Sequence, residues 1–255
     1  MLNLLRHGEP RDARALLIVH GLFGSARNWG AIARRLSDRG TVICVDMRNH
    51  GESFWSDQHS YADLAADLAQ VIEAEGAPMD VLGHSMGGKA AMMLALTRPD
   101  LVGRLLVADI APVAYTHSQA HLIAAMRALP LDALESRGAA DAALSAQIDD
   151  PGVRAFLLQS LDLRSDPPRW RLNLDTLEAE MPRIIGWPEV SLSHDGPTLF
   201  LSGGRSDYVL PDHRAKIRAL FPQARLAKLP GAGHWLHAEA PRPFEASARM
   251  WFDAG

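Results

Sequence analysis

Apolar residues in this chain gather into short, nearly unbroken runs at Ala15 to Val19, Val42 to Val45, Met79 to Leu82, Leu105 to Ala108 and Thr198 to Ser202. Runs of that length with no polar face predict strands buried on both sides, the situation of a parallel sheet. Most are flanked by helix-patterned segments. The clearest is Lys89 to Leu96, good helix formers that halt at Arg98-Pro99 because a proline does not continue a helix. A further edge strand is expected just ahead of Pro230. The alternation predicts an α/β architecture, a mostly parallel sheet flanked by helices.

Between about Val113 and Ser191 the strand pattern stops and Ala, Leu, Arg and Asp recur at helical spacing. His121 to Leu129, Ala139 to Ile148 and Val153 to Leu161 are the expected helices, followed by an irregular aromatic stretch around Trp170 and Trp187. Residues 114–190 therefore read as a helical lid inserted in a core made of 1–113 and 191–255. A lid excludes water, which strengthens electrostatic catalysis beneath it.

Composition narrows the partners. With 255 residues, 47% apolar and 22% charged, the chain has enough apolar side chain for one large core. A net charge of −4 without any long like-charged run argues against nucleic acid or an anionic membrane and favours a small neutral substrate. Cys44 stands alone, which removes a disulfide framework and fits a reducing compartment. The first apolar run is too short for a signal peptide, and a cytoplasmic protein is expected. Oligomeric state leaves no trace in the pattern.

The predicted strands end in chemistry. Gly83-His84-Ser85-Met86-Gly87 places a serine between an apolar run and a helix. A sharp strand-to-helix turn pushes a serine oxygen clear of the backbone, and its crowding requires small residues two before and two after. The expected general base is His234, in Gly231-Ala232-Gly233-His234-Trp235. His237 is its nearest rival, but a following helix points it elsewhere. His84 is expected to pack, and His20 to fix the loop His20-Gly21-Leu22-Phe23-Gly24. Leu22 and Met86 are the expected backbone donors to an oxyanion. Two acids stand at suitable strand ends, Asp109 and Asp207, and spacing alone favours Asp207. Asp46 is expected to brace loops with Arg48.

Other groups carry less. His117 and His121 stand four apart but lack a carboxylate or cysteine partner, so they read as lid surface and not as a metal site. Met92-Met93 and the scattered tryptophans read as core or pocket lining. No metal and no organic cofactor is expected.

Five segments together resemble the YbfF-type esterases of the α/β-hydrolase superfamily, and the likeness covers nearly the whole chain. They are His20-Gly-Leu-Phe-Gly-Ser25, Asp46-Met-Arg-Asn-His-Gly51 with Ser53, Gly83-His-Ser-Met-Gly-Gly-Lys-Ala90, Asp109-Ile-Ala-Pro-Val113, and Gly231-Ala-Gly-His-Trp235 with His237-Ala-Glu239. The resemblance implies the α/β-hydrolase fold and a hydrolase of carboxylic esters or acyl thioesters that pairs Ser85 with His234 through an acyl-enzyme. It also implies Asp109 as the acid, with Ser206 nearby; Asp207, where that family carries an uncharged residue, stays as the alternative. Acyl transfer or perhydrolysis on the same groups, or a slow-turnover ligand receptor, are the rival readings. Dehalogenase or epoxide hydrolase chemistry needs an aspartate where this chain has Ser85.

Overall fold

The computed structural model describes residues 1–254. Strands β1 (Asn3–His7), β2 (Leu16–Val19), β3 (Val42–Asp46), β4 (Met79–His84) and β5 (Val102–Ala108) come first, with helices α1 (Gly30–Leu36), α2 (Tyr61–Glu75) and α3 (Met86–Thr97) between them. Next come α4 (Ala120–Arg127), α5 (Arg137–Leu144), α6 (Pro151–Leu158), the hairpin β6 (Leu161–Asp162) and β7 (Arg169–Trp170), α7 (Leu174–Ala179) and α8 (Met181–Ile185). The chain then returns as β8 (Thr198–Gly203), α9 (Arg214–Leu220), β9 (Ala224–Leu229), α10 (Leu236–Glu239) and α11 (Pro241–Phe252).

Seven strands form one sheet in the order β1-β3-β2-β4-β5-β8-β9. Every pairing is parallel except that of β1 with β3. The expected strands are all present, and β9 is the edge strand ahead of Pro230. β1 was not expected: Asn-Leu-Leu-Arg-His is only half buried at the sheet edge and leaves no apolar run.

Period-two alternation sends β2 and β3 side chains to opposite faces. Leu17, Val19, Ile43 and Val45 pack with Leu64 and Leu68 of α2 and Ala91 and Leu94 of α3. Leu16, Ile18, Val42 and Cys44 pack with Ile32 and Leu36 of α1 and Phe244 and Trp251 of α11. Both faces are covered, so the strands read as continuous apolar runs. Each buried Leu or Ile contributes about 1.5–3 kcal/mol. α2 is fixed at both ends, by a reciprocal Ser60/Asp63 capping box and by Gly76 at φ 77°.

The three helices expected in the insertion form, but each starts one or two residues earlier and stops earlier. Ser136 caps α5, and Asp150 with Pro151 opens α6. Strand structure does not vanish there, since β6 and β7 pair antiparallel. At two residues each they are too short to leave a periodicity. The aromatic stretch is also more ordered than expected: Asn173 caps α7, and α8 follows directly. No helix among the described residues is long and apolar enough to cross a membrane.

Candidate active site

β4 runs straight into Ser85, which sits at φ 54° and ψ −122° before α3 begins at the next residue. A residue with a Cβ is disfavoured there, so the surroundings must impose it. The Ser85 N–H donates to Ala108 O at 3.1 Å. A Cβ at Gly83 would press into the Gly87 backbone, and one at Gly87 into the carbonyls of Val19 and His20. Strand and helix close around the serine only because both positions are glycine.

Ser85 Oγ lies 3.1 Å from His234 Nε2, and His234 Nδ1 lies 2.8 Å from Asp109 Oδ2. Asp109 is fully buried at the end of β5 with φ 51°. Its Oδ1 accepts from Gly203 N at 2.8 Å, and its Oδ2 also accepts from the Ser206 hydroxyl. These contacts aim the carboxylate at the imidazole. Asp207, which spacing favoured, is exposed, and the atom it would have to reach is occupied by Asp109. The loop after β8 instead delivers Ser206 and Tyr208. The Tyr208 ring stacks on His234 with centroids 3.8 Å apart and planes 16° from parallel. Burial, helped by the Asp207 and Asp109 charges, pushes the Tyr208 phenol up to about 12, so the stacked ring stays neutral.

His20, His84 and His237 are held in packing and hydrogen-bonding positions. His20 donates from Nδ1 to Gly21 O at 2.8 Å and accepts from Met47 N at Nε2 at 2.9 Å. That ties the glycine loop to the end of β3. Burial lowers its pKa, which keeps the accepting nitrogen free of a proton. His84 donates from Nε2 to His234 O at 2.9 Å. Burial, reinforced by His234 and His237, holds it well below its ordinary value. His237 stacks on Trp29 at 4.1 Å, while the Ser85 hydroxyl is paired with His234, and burial pushes His237 down to about 3.

Gly21 brings its loop against the elbow: a Cβ there would stand 3.1 Å from Ser85 Cβ. The Leu22 and Met86 amides have no backbone acceptor among the described residues. Asp46 does brace loops, accepting from Asn3 Nδ2, Ala26 N and Glu52 N at 2.7–3.0 Å. Arg48 is not its partner. That guanidinium pairs with Asp67 at 2.6 Å, because α2 lies beside it and offers a buried carboxylate.

A cavity of about 490 Å³ opens over Ser85. Leu22, Met86 and Ile110 line it from the sheet side, and Leu122, Ile148, Val153, Phe156 and Ile184 from between β5 and β8. His117 and His121 are exposed on its wall, and His117 packs edge-on to Tyr208 at 4.9 Å. Lys89, which the sequence reading took as a helix former and as part of a resemblance segment but gave no site role, is also in the wall and almost fully buried. Its ammonium donates to Ile185 O and Gly186 O at 3.0 and 2.5 Å and stands 4.7 Å over the Tyr115 ring. Burial brings its pKa down to about 7. A lone lysine amid Ala and Met was the available signal.

The model of the alpha/beta hydrolase family matches residues 16–247, most of the chain. The chain belongs to that family. Within it, the chain is 43% identical over 240 residues to sn-1-specific diacylglycerol lipase ABHD11 of Mus musculus, covering 90% of this chain and 78% of that protein. It is 40% identical over 229 residues to Esterase YbfF of Escherichia coli, covering 89% and 88%. The resemblance read from five segments thus holds along the chain. Among solved structures of the fold, a marine microorganism esterase superposes with a TM-score of 0.93 at 36% identity, covering 98% of both chains.

Proposed function

We propose that this α/β-hydrolase is an esterase or lipase-type enzyme that cleaves carboxylic esters with an apolar acyl chain through an acyl-enzyme on Ser85. The observation that carries this is the unbroken line of contacts from Ser85 Oγ to His234 at 3.1 Å and from His234 to Asp109 at 2.8 Å. His234 Nε2 takes the hydroxyl proton as Oγ attacks the acyl carbonyl, and the buried Asp109 carboxylate orients the ring and stabilises the imidazolium. The Leu22 and Met86 amides hold the oxyanion. The imidazolium then protonates the leaving alcohol, and His234 activates the water that releases the acid.

The cavity supports this choice of substrate class. Its wall beyond Ser85 is mostly aliphatic and aromatic, and about 490 Å³ is ample for an acyl chain of medium length. The names of the mouse and Escherichia coli relatives, a diacylglycerol lipase and an esterase, support ester bonds as the target. Residues 114–190 act in this reading as a lid, since their side chains form the wall opposite Ser85.

The test is a series of p-nitrophenyl esters from acetate to decanoate with wild type and Ser85→Ala, together with labelling by an alkyl fluorophosphonate. Wild type should be labelled at Ser85 and prefer medium chains, and Ser85→Ala should lose at least on the order of 10⁴-fold in rate with its fold intact. Turnover retained by Ser85→Ala refutes the assignment.

A further inference from the structure

Phe23, directly after Leu22, is one of four described non-glycine residues with positive φ, at 62°. It is buried, and both of its backbone polar groups are taken by side chains from distant parts of the chain. Its N–H donates to His50 Nε2 at 3.2 Å. Its carbonyl accepts from the Ser160 hydroxyl at 3.0 Å. His50 suits that task, because its Nδ1–H donates to Arg48 O at 2.9 Å and so leaves Nε2 as the acceptor. Burial, with His20 and His59 nearby, holds His50 well below its ordinary pKa, so the acceptor persists at neutral pH.

Both holders are tied to the segment between β5 and β8. Ser160 follows α6, and its carbonyl accepts from Arg171 N at 2.8 Å. The turn that carries His50 is sewn to the next residues of the same segment. Gly51 N donates to Arg171 O at 2.8 Å and Asn173 N to Asn49 O at 3.0 Å, with Asn173 Nδ2 on Asn49 Oδ1 at 3.1 Å. The segment that walls the cavity therefore grips the glycine loop twice, directly through Ser160 and indirectly through His50.

We propose that His50 and Ser160 are positioning residues of the oxyanion hole, which hold Phe23 in its left-handed conformation and thereby aim the preceding Leu22 amide at the substrate carbonyl oxygen. The proposal rests on the hydrolase reading above. Fixing the Phe23 N–H fixes the peptide plane that follows Leu22, and fixing the Phe23 carbonyl fixes the next plane. Without those holds, a residue with a Cβ relaxes toward negative φ and turns the donor away. Donors set in advance matter most where charge develops, so the effect belongs to the transition state and not to substrate binding.

The experiment compares wild type, Ser160→Ala, Ser160→Thr, His50→Leu and His50→Gln as full-length chains. It measures kcat and KM for p-nitrophenyl hexanoate and the affinity of an alkyl trifluoromethyl ketone, whose tetrahedral adduct places an oxygen anion in the hole. Ser160→Ala and His50→Leu should lower kcat on the order of 10- to 10²-fold, short of the loss of a whole donor. KM should stay within about twofold, and the ketone should weaken by the same factor as kcat. Ser160→Thr and His50→Gln retain a hydroxyl and an acceptor and should recover most of the loss. Should His50→Leu fail to fold, the Ser160 pair decides alone. Wild-type kcat and ketone affinity in Ser160→Ala, or a rise in KM at constant kcat, overturns the proposal while leaving the hydrolase reading in place. A wild type that neither hydrolyses the ester nor reacts with fluorophosphonate overturns both.

Discussion

Lys89 makes the folding stability of this protein depend on pH in a calculable way. Its folded pKa of about 7 lies below the ordinary 10.5 because burial disfavours the ammonium. Between those values the unfolded chain binds the proton that the folded chain has released, so stability rises with pH across the window and is lowest below about 7. At about 1.4 kcal/mol for each pH unit, the whole window amounts to about 5 kcal/mol, of which about 3 kcal/mol falls between pH 7 and 9.5. Lys89→Met reproduces the side chain as far as Cε and removes the charge. It leaves Gly186 O without its lysine donor, whereas Ile185 O keeps the Tyr115 N–H at 2.9 Å, an offset that does not vary with pH. Burial also raises the Tyr61 and Tyr115 phenols beside the lysine and takes the distant Cys44 thiol to about 12, contributions that wild type and variant share and that cancel in their difference. Urea melts of wild type and variant at half-unit steps from pH 7 to 9.5 give the difference directly. It should move in favour of wild type by about 3 kcal/mol as pH rises; a change below about 1 kcal/mol refutes the argument.

The two acids are separated by substitution. Asp109→Asn should lower kcat on the order of 10⁴-fold toward an activated ester, while Asp207→Asn, exposed and off the histidine, should change it less than about twofold. Steady-state kinetics of the pair settles which carboxylate orients His234. Gly87→Ala drives a methyl group into the carbonyls of Val19 and His20 and should destabilise the chain by about 1–3 kcal/mol. Thermal melts read that loss, and activity should fall further than stability because the elbow itself must shift.

Much of this was legible in the sequence. Strands covered on both faces must be apolar throughout, so β2 to β5 and β8 announced themselves, whereas β1 is half exposed and did not. Glycines forced by backbone crowding marked Ser85, and small residues around His234 marked its partner. The acid was not settled by spacing, which favoured Asp207; the resemblance implied Asp109. β5 and β8 are neighbours, so their loops arrive together. Which carboxylate meets the imidazole is decided by the turn at Asp109, φ 51°, and by the donors Gly203 N and Ser206. The contacts on Phe23 join residues 27 and 137 positions apart, and no local pattern encodes a meeting of that kind. Lys89 reads as a good helix former; its burial exists only once α8 lies over it.

β5 and β8 lie side by side in parallel register, Leu105 opposite Thr198, so the long excursion between them leaves at the carboxyl end of one strand and rejoins the sheet at the amino end of its neighbour. An engineer could exchange that excursion for another without breaking a single rung of the ladder. Such a chimera would not inherit a neutral scaffold, however, because the excursion supplies the hydroxyl on Phe23 as well as much of the cavity wall. Grafted variants should change selectivity and turnover together unless the incoming piece brings its own replacement for Ser160.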